Sequence, residues 1–488
     1  MSSLPSSWIL APIGEVTTDC GQRVPAADEK FQYIDIGSID RETKTITDPQ
    51  HLVGKVAPSR ARKHVQGGDV LVSMTRPNLN AVALVPNTLN GQIASTGFDV
   101  LRATGMDSRW IFYVVRSAAF VERMSDLVQG ALYPAVRSKD VRSFDAPIAP
   151  LNEQKRIADK LDAILARVGA CRARLDRIPA ILKRFRQSVL AATTAGKLTE
   201  DWREQCPQCV DAQRLADQIH SVHEAVGGHK IGNAAAPTED VHDLSADMFP
   251  KGWRLITLRD VVLPDRPITY GILKPGPELE VGVPYVRVAD FPGEKLNLAT
   301  IRKTSPQMDE DFKRSRLRPG DLLLSIRGTV GRLVVIPDEL AGANITQDSA
   351  RLSVQPIVNR DYVLWYLRSF MAQDRMKGST KGVAVRGINI GDVRALQLPL
   401  PSREEQDEIV RRVEILFAYA DRLEARYAAA RAQVEKLTPS VLAKAFRGEL
   451  MPQDPNDEAA SELLERMRAQ RGERTIAKPI RGRKGVAV

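Results

Sequence analysis

Two short polar segments carry side chains that can contact DNA bases or phosphates. Each segment follows a short apolar run that starts at Gly68-Asp69 or at Gly320-Asp321. Arginine, asparagine and threonine side chains held at the end of a rigid strand are suited to reading base edges or to binding phosphate oxygens. The candidate residues are Ser73, Thr75, Arg76 and Asn78 in the first segment, and Ser325, Arg327 and Thr329 in the second. Ordinary turn chemistry on a solvated surface stays the alternative for each single residue.

A second polar cluster precedes each of two long helical patterns. In the first half of the chain it includes residues 129–133 and the basic residues that follow them, and in the second half it spans residues 377–389. We predict DNA contacts for these clusters as groups. The candidate residues here are Arg137, Lys139, Lys377, Ser379, Lys381, Arg386 and Asn389.

A catalytic constellation is missing from the sequence. The chain has no Asn-Pro-Pro-aromatic tetrapeptide of the kind that amino-methyltransferases use, no Walker phosphate loop and no metalloprotease His-Glu pair. Residues 328–331 (Gly-Thr-Val-Gly) are too short, and stand in the wrong context, for a nucleotide cradle. We therefore predict no catalytic residue and no cofactor site in this chain.

The best candidate for a metal site is a Cys/His set between the two halves of the chain. Cys206, Cys209, His220 and His223 are spaced C-x2-C-x10-H-x2-H, which is tighter at both later gaps than the zinc-finger pattern. The corresponding stretch of the second half, residues 452–467, has neither Cys nor His. We therefore favour an acidic linker with one short helix and predict no metal ion.

Composition indicates a soluble globular protein with a polyanionic partner. No stretch reaches the ~18 apolar residues that a membrane span needs. Four cysteines in 488 residues are no disulfide framework, so we expect a reducing cytoplasm. The net charge of +10 is concentrated in residues 151–200 and 250–400, a pattern typical of nucleic-acid binding. A merely basic soluble protein is the alternative.

The sequence repeats itself, and this repeat organises the candidate residues. Residues 4–226 and 249–472 are two copies of one unit, and most landmarks recur at an offset of 252. Examples are the Gly-Asp runs named above and Glu153-Gln154, which returns as Glu405-Gln406. A period this long means two whole domains with two whole connectors rather than a solenoid. We expect near-twofold symmetry inside one chain.

The connectors show the apolar spacing of coiled coils. Positions at alternating steps of four and three are apolar or aromatic over more than four heptads in each half, which predicts helices roughly 50 Å long. They are Ile157, Leu161, Ile164, Val168, Cys171, Leu175, Ile178, Leu182, Phe185 and Val189, and then Ile409, Val413, Leu416, Ala420, Leu423, Tyr427, Ala430, Val434, Leu437 and Val441.

Capping and breaking residues frame both helical patterns. Asn152 and Ser402 are the predicted N-caps, and Gly196 and Gly448 the predicted ends. Pro179 and Pro439 should kink the helices or split them. We expect the two helices to pack antiparallel on each other. The alternative is that each packs on its own globular domain.

The two large domains read as mixed α/β. Short apolar runs bounded by Gly, Pro and Asn predict strands, and each domain should add one helix, near residues 108–128 and 360–376. The aromatic residues of these helices fit a core better than a base-stacking surface. The predicted domains are 1–150, the helix 151–198, the acidic linker 199–248, the second domain 249–401, the helix 402–450, and a short helix with a basic tail at 451–488.

The doubled order of these features resembles the specificity subunits of type I restriction-modification systems. The resemblance covers nearly the whole chain: two units that open Pro-x-x-Trp, a Gly-Asp strand in each, and long helices containing residues 161–167 and 178–185. Residues 396–401 before Glu404-Glu405-Gln406 look like that family's junction, whereas the first junction, residues 146–151, departs from it. No single motif is strong, but the order is specific.

The resemblance implies two α/β (α+β) target recognition domains joined by two antiparallel coiled-coil helices. Each domain would read one half of a split, asymmetric site in double-stranded DNA, and the helices would set the gap. The family's subunit has no catalytic activity of its own. It holds two methyltransferase subunits that bind S-adenosylmethionine, and it recruits restriction subunits that translocate DNA with ATP and Mg²⁺.

Two other classes of protein stay open at this point. One is a stand-alone coiled-coil adaptor that binds DNA without enzymatic partners. The other is an unrecognised enzyme, which methylation assays with the pure subunit would expose.

Overall fold

The computed structural model describes residues 4–226, 244–380 and 387–476. Its internal contacts divide the chain into two compact units. The first unit consists of Met1–Asp176 together with Tyr427–Val488, and the second consists of Arg177–Arg426. Helices and strands occur in both units, in agreement with the predicted mixed α/β class. Among the described residues, no helix combines the length and apolarity needed to cross a membrane.

The described residues of the first unit form four small sheets, with orders β6-β3-β10-β7, β2-β11-β8-β9, β1-β12 and β4-β5. The strands are β1 (Ile9–Pro12), β2 (Thr17–Thr18), β3 (Lys30–Ile34), β4 (Ile39–Asp40), β5 (Thr45–Ile46), β6 (Gln50–Val53), β7 (Ala61–His64), β8 (Val70–Ser73), β9 (Val82–Leu84), β10 (Ile93–Ser95), β11 (Phe98–Ala103) and β12 (Asp145–Ile148). Strand β8 is buried along its whole length, because it lies between β11 and β9.

In the second unit, the part of the chain that the structure describes forms three small sheets, with orders β14-β20-β17-β18, β16-β15-β19 and β13-β21. The strands are β13 (Arg254–Thr257), β14 (Thr269–Tyr270), β15 (Val283–Val286), β16 (Arg302–Thr304), β17 (Leu322–Ser325), β18 (Leu333–Val335), β19 (Asn344–Ile345), β20 (Ser349–Leu352) and β21 (Gln397–Leu400). Strand β17 is the counterpart of β8 in the sequence repeat. It too is buried throughout, between β20 and β18.

The Gly-Asp sequences fix the start of these two central strands. Gly68 and Gly320 have φ of 88° and 85°, a left-handed conformation that glycine adopts without a steric penalty. The aspartates that follow are almost fully buried. Asp69 accepts hydrogen bonds from Arg102 at 2.8 Å, and Asp321 accepts one from Arg266 at 2.8 Å. Burial of a charge is tolerated here because each carboxylate has a bonded cation.

Both units also contain α-helices. The helices are α1 (Ile13–Val16), α2 (Ser108–Val114), α3 (Ala118–Asp126), α4 (Ser138–Arg142), α5 (Leu151–Leu175), α6 (Ile178–Thr194), α7 (Glu200–Gln205), α8 (Gln213–Ala225), α9 (Leu258–Val261), α10 (Pro306–Asp311), α11 (Arg360–Arg368), α12 (Phe370–Gly378), α13 (Ile390–Ala395), α14 (Arg403–Phe446) and α15 (Ala460–Ile476). Helix α14 contributes its first part to the second unit and its last part to the first.

Each large domain has two consecutive helices where the sequence predicted one. The break falls at a serine, because the hydroxyls of Ser117 and Ser369 accept bonds from Phe120 N and Ala372 N and so cap α3 and α12. The aromatic residues on the preceding helices are core residues, as predicted. Trp110 is fully buried, and only Trp365 keeps partial exposure.

The two prolines in the long helical patterns have different outcomes. Pro179 lies in the first turn of α6, where proline is tolerated, and the first pattern is split into α5 and α6 as expected. Pro439 lies inside α14, which continues without a break, so the split that was possible there does not occur. Both patterns end before left-handed glycines, as predicted. Asn152 is not an N-cap, because α5 already begins at Leu151.

The long helices contact each other within each unit. In the first unit, Leu161 of α5 shares a core with Leu442 and Ala445 of α14, and Asp176, just after α5, pairs with Arg431. In the second unit, Arg186 of α6 pairs with Asp421 and Glu424 of α14 at 2.6 and 2.7 Å. Along the contact in the first unit, the residue number increases on α5 and decreases on α14, as in antiparallel packing. The same helices also pack on the cores of the domains.

A tryptophan from the start of each repeat bonds to the buried glutamate that begins each long helix. Trp8 Nε1 donates to Glu153 at 2.9 Å, and Trp253 Nε1 donates to Glu405 at 2.8 Å. The second carboxylate also has a bonded cation, Arg203, at 2.7 Å. Burial raises the pKa of Glu153 above its ordinary value. The recurring Pro-x-x-Trp and Glu-Gln sequences therefore meet in space and join each domain to its helix.

Candidate nucleic-acid interface

The first polar segment forms a tight turn at the end of β8. Ser73 is buried, and its hydroxyl donates to the carbonyl of Thr75 at 3.0 Å. Arg76 follows with a left-handed backbone, φ 49°. The side chains of Thr75, Arg76 and Asn78 are exposed. Ser73 therefore holds the turn, while the three residues after it present polar groups to solvent.

The structure brings the second cluster of the first unit onto this turn. Thr75 and Ala135 form an antiparallel β-bridge. On either side of it, Arg76 N donates to Pro134 O at 2.8 Å, and Val136 N donates to Met74 O at 2.9 Å. Two segments about sixty residues apart in sequence thus form one surface, with Arg137 and Lys139 exposed at its edge.

The second unit builds the same surface from corresponding residues. Arg327 and Gly387 form the equivalent bridge, at the 252-residue offset of the sequence repeat, and Ile388 N donates to Ile326 O at 2.9 Å. The hydroxyl of buried Ser325 donates to Thr329 O and accepts from Arg332 N, so this serine also holds its turn. The same two-segment arrangement therefore occurs twice in the chain.

Most of the predicted residues of the second unit that the structure describes have exposed side chains. Arg327, Thr329, Lys377 and Asn389 are exposed, and Arg327 donates to Gln347 at 2.8 Å. Ser379 is half-buried and donates to Arg375 O at the end of α12, so its hydroxyl is already bonded. Two further candidates, Lys381 and Arg386, lie outside the described residues.

The exposed cations of the first surface have no carboxylate partner in the described residues, unlike the partly buried arginines beneath it. Arg102 and Arg142 pair with Asp69 and Asp99 beneath the surface, at 2.8 and 3.0 Å. Arg76, Arg137 and Lys139 form no salt bridge with any other residue that the structure describes. Exposed cations without a carboxylate partner are available to phosphate oxygens, which supply most of the affinity in DNA binding.

Several residues beside these turns were not among the sequence candidates. Gln347 lies against Arg327, and Lys44 donates to the carbonyl of Asn80 at 2.5 Å, at the end of the first turn. Burial lowers the pKa of Lys44 to about 8, and Arg116 and Arg41 act in the same direction. No sequence signal identifies these residues, because each reaches the site through a contact distant in sequence.

The Cys/His set does not form a metal site in the described part of the chain. Cys206 and Cys209 are joined by a disulfide, and His223 Nε2 lies 3.0 Å from the carbonyl of Asp260. Within the described ranges, no group of three or more His, Cys, Asp or Glu side chains is placed to hold a metal ion. The set lies in a segment with two helices, α7 and α8, where the sequence predicted a single short helix.

Comparison with known proteins identifies the class. Residues 250–430 match the family model of the type I restriction modification DNA specificity domain. The chain is 30% identical to the EcoKI specificity subunit of Escherichia coli K12, with 96% of each chain covered. It is 37% identical to the EcoBI specificity subunit of Escherichia coli, over 68% of this chain and 66% of that protein.

A solved structure agrees with the sequence comparisons. The crystal structure of the HsdS subunit from Thermoanaerobacter tengcongensis superposes with a TM-score of 0.60 at 29% identity, covering 92% of this chain and 98% of that one. Similarity over almost the full length in both sequence and fold shows the family. The chain belongs to the specificity subunits of type I restriction enzymes, as the sequence resemblance indicated.

Proposed function

We propose that this chain reads a two-part DNA site, one part with residues 1–150 and the other with residues 249–401. The observation that carries this proposal is the doubled surface, in which Thr75–Ala135 and Arg327–Gly387 are equivalent bridges. Different side chains stand on the two surfaces, and Arg76 in one corresponds to Gly328 in the other. The two halves of the DNA site should therefore differ in sequence.

The long helices are proposed as the spacer between the half-sites, in the form of an antiparallel coiled coil. The heptad positions support this, since all except Cys171 and Leu437 are buried or partly buried. Ion pairs join α6 to α14. An antiparallel direction is supported by the first unit, where Leu161 shares a core with Leu442 and Asp176, further along the chain, pairs with the earlier residue Arg431. A rigid helical pair would hold the gap constant while the recognition loops vary.

Catalysis is assigned to partner subunits. The chain should hold two methyltransferase subunits, which bind S-adenosylmethionine, and restriction subunits, which use ATP and Mg²⁺, in the cytoplasm. The sequence supports this division, because it contains no Asn-Pro-Pro-aromatic tetrapeptide, no Walker phosphate loop and no metalloprotease His-Glu pair. Target choice and spacing are then the properties that this chain contributes.

A paired insertion tests the spacer. Four residues inserted near Ala170 in α5 and four near Arg422 in α14 add about one helical turn to each helix, or ~6 Å. B-DNA rises ~3.4 Å per base pair, so the preferred gap should grow by roughly one or two base pairs. The half-site sequences should not change, since the recognition turns are untouched.

The measurement is sequencing of adenine methylation on random DNA by the assembled methyltransferase complex. Exchanging residues 1–150 for the equivalent domain of a relative is the matched control, and it should change one half-site and keep the gap. An insertion that alters base identity while the gap stays fixed would contradict the spacer role. A wild-type complex without sequence preference would contradict the proposed function as a whole.

A further inference from the structure

The turn between α3 and α4 of the first unit carries two large apolar side chains in open solvent. Leu132 is 87% exposed and Tyr133 is 86% exposed. They are neighbours in sequence, and they stand beside the bridge of the first recognition surface. Exposed apolar residues grouped in this way mark an interaction site more often than a plain surface.

This apolar tip, residues 132–133, is held in place from both ends. On one side Gly130 reverses the chain with φ 80°, and Ala131 N donates to Val128 O at 3.2 Å. On the other side Pro134 O accepts from Arg76 N, and Ala135 pairs with Thr75. The tip therefore protrudes because the flanking backbone is fixed.

The charges around the tip indicate what it meets. Arg76, which is bonded to Pro134, is exposed, as are Arg137 and Lys139 shortly beyond the tip. None of these three cations has a salt-bridge partner among the residues that the structure describes. An apolar projection flanked by cations matches the chemistry of a DNA duplex, which has phosphates outside and stacked bases inside.

We propose that Leu132 and Tyr133 form a wedge that enters the base stack of the half-site read by the first unit. This inference rests on the proposed function and adds recognition through DNA deformability to the direct contacts of Thr75, Arg76 and Asn78. Apolar wedges unstack a base step, and the cost depends on which step is opened. The wedge would therefore select a flexible step at a position without hydrogen-bonded contacts.

The sequence repeat provides an internal comparison. The positions that correspond to the wedge in the second half are Ala384 and Val385, which lie outside the described residues. Their side chains are shorter than Leu and Tyr and lack an aromatic ring. DNA distortion should accordingly be confined to the half-site of the first unit.

The test uses the full chain assembled with its methyltransferase subunits, without S-adenosylmethionine. The DNA carries 2-aminopurine at one position in either half-site, other than the adenine to be methylated, so that fluorescence reports unstacking. Wild type should raise the fluorescence in the first half-site alone. The double variant Leu132→Ser/Tyr133→Ser should abolish the rise and weaken specific binding about tenfold.

Two control variants separate the wedge from general surface effects. Tyr133→Phe keeps the ring and should retain the signal. Val56→Ser removes an apolar side chain that is 67% exposed elsewhere on the unit, and should behave as wild type. Circular dichroism of all variants checks the fold, which should be unchanged because both wedge residues are exposed.

The outcomes distinguish this inference from the function on which it rests. Tight, sequence-specific binding by wild type without a fluorescence rise overturns the wedge and leaves the proposed function standing. A double variant that binds DNA normally but no longer assembles with methyltransferase subunits also overturns it, because the tip is then a protein interface. Absence of any sequence-specific binding by wild type overturns the proposed function itself.

Discussion

Arg76→Gly should make the first unit more stable and, at the same time, a weaker DNA binder. Arg76 has a left-handed backbone with φ 49°, and the corresponding residue of the second unit, Gly328, has φ 72°. The turn thus has the same hand in both units, but only one of them uses the residue that adopts it without strain. We predict that the guanidinium of Arg76 contacts DNA, because this exposed side chain stands beside the Thr75–Ala135 bridge.

The size of the stability effect follows from two opposing contributions. A residue with a Cβ destabilises the folded state by about 1–2 kcal/mol when its backbone is left-handed. Glycine also gives the unfolded chain more conformational freedom, which lowers the free energy of unfolding by about 0.4–1 kcal/mol. The net gain should be about 1 kcal/mol, which raises the melting temperature by ~2–4 °C for a unit of this size. The bond from residue 76 N to Pro134 O is a backbone bond and is preserved.

Arg76→Ala is the matched control, because it removes the guanidinium and keeps the strained Cβ. Both variants should lose about 1–3 kcal/mol of binding free energy, or roughly 5- to 150-fold in affinity, if Arg76 contacts a base. Calorimetry of the chain and titration of DNA into the assembled complex measure the two effects. A glycine variant no more stable than the alanine variant would refute the strain argument. Wild-type affinity in both would remove Arg76 from the interface.

Further predictions concern the buried glutamates and the turn at residues 325–329. Glu405→Gln should destabilise the chain by about 3 kcal/mol in denaturant unfolding, because it removes a buried carboxylate and leaves the partly buried cation of Arg203 without its charged partner. Glu153→Gln should lower the free energy of unfolding much less than Glu405→Gln at neutral pH. The raised pKa of Glu153 means that the folded state favours its protonated form. The wild-type chain should therefore lose stability as the pH rises from the pKa of Glu153 in the unfolded state to its pKa in the folded state. The glutamine variant does not titrate there and should not show this loss. Arg327→Ala should reduce the free energy of DNA binding by ~1–3 kcal/mol, and the loss should depend on the sequence of the second half-site. If binding to all DNA sequences weakens equally and depends less steeply on salt concentration, Arg327 contacts a phosphate instead.

The sequence by itself determined the features that arise from local periodicity and from special residue types. The 252-residue repeat predicted two equivalent Gly-Asp strands, and both are buried central strands. The heptad spacing predicted the long helices, because a helix must place its apolar residues on one face wherever it packs. Gly196 and Gly448 marked the helix ends, since they provide the left-handed residue that terminates a helix.

Only the tertiary structure decided which segments meet. The bridge between Thr75 and Ala135 joins backbone groups across many residues, and no pattern in either segment specifies the other. Pro179 and Pro439 are the same residue type in matching patterns, yet one begins a helix and the other lies inside one. Beyond Pro439, Leu442 and Ala445 are buried in the core of the first unit. Burial of these residues offsets the hydrogen bond that an internal proline removes, and such a balance depends on neighbours that are distant in sequence.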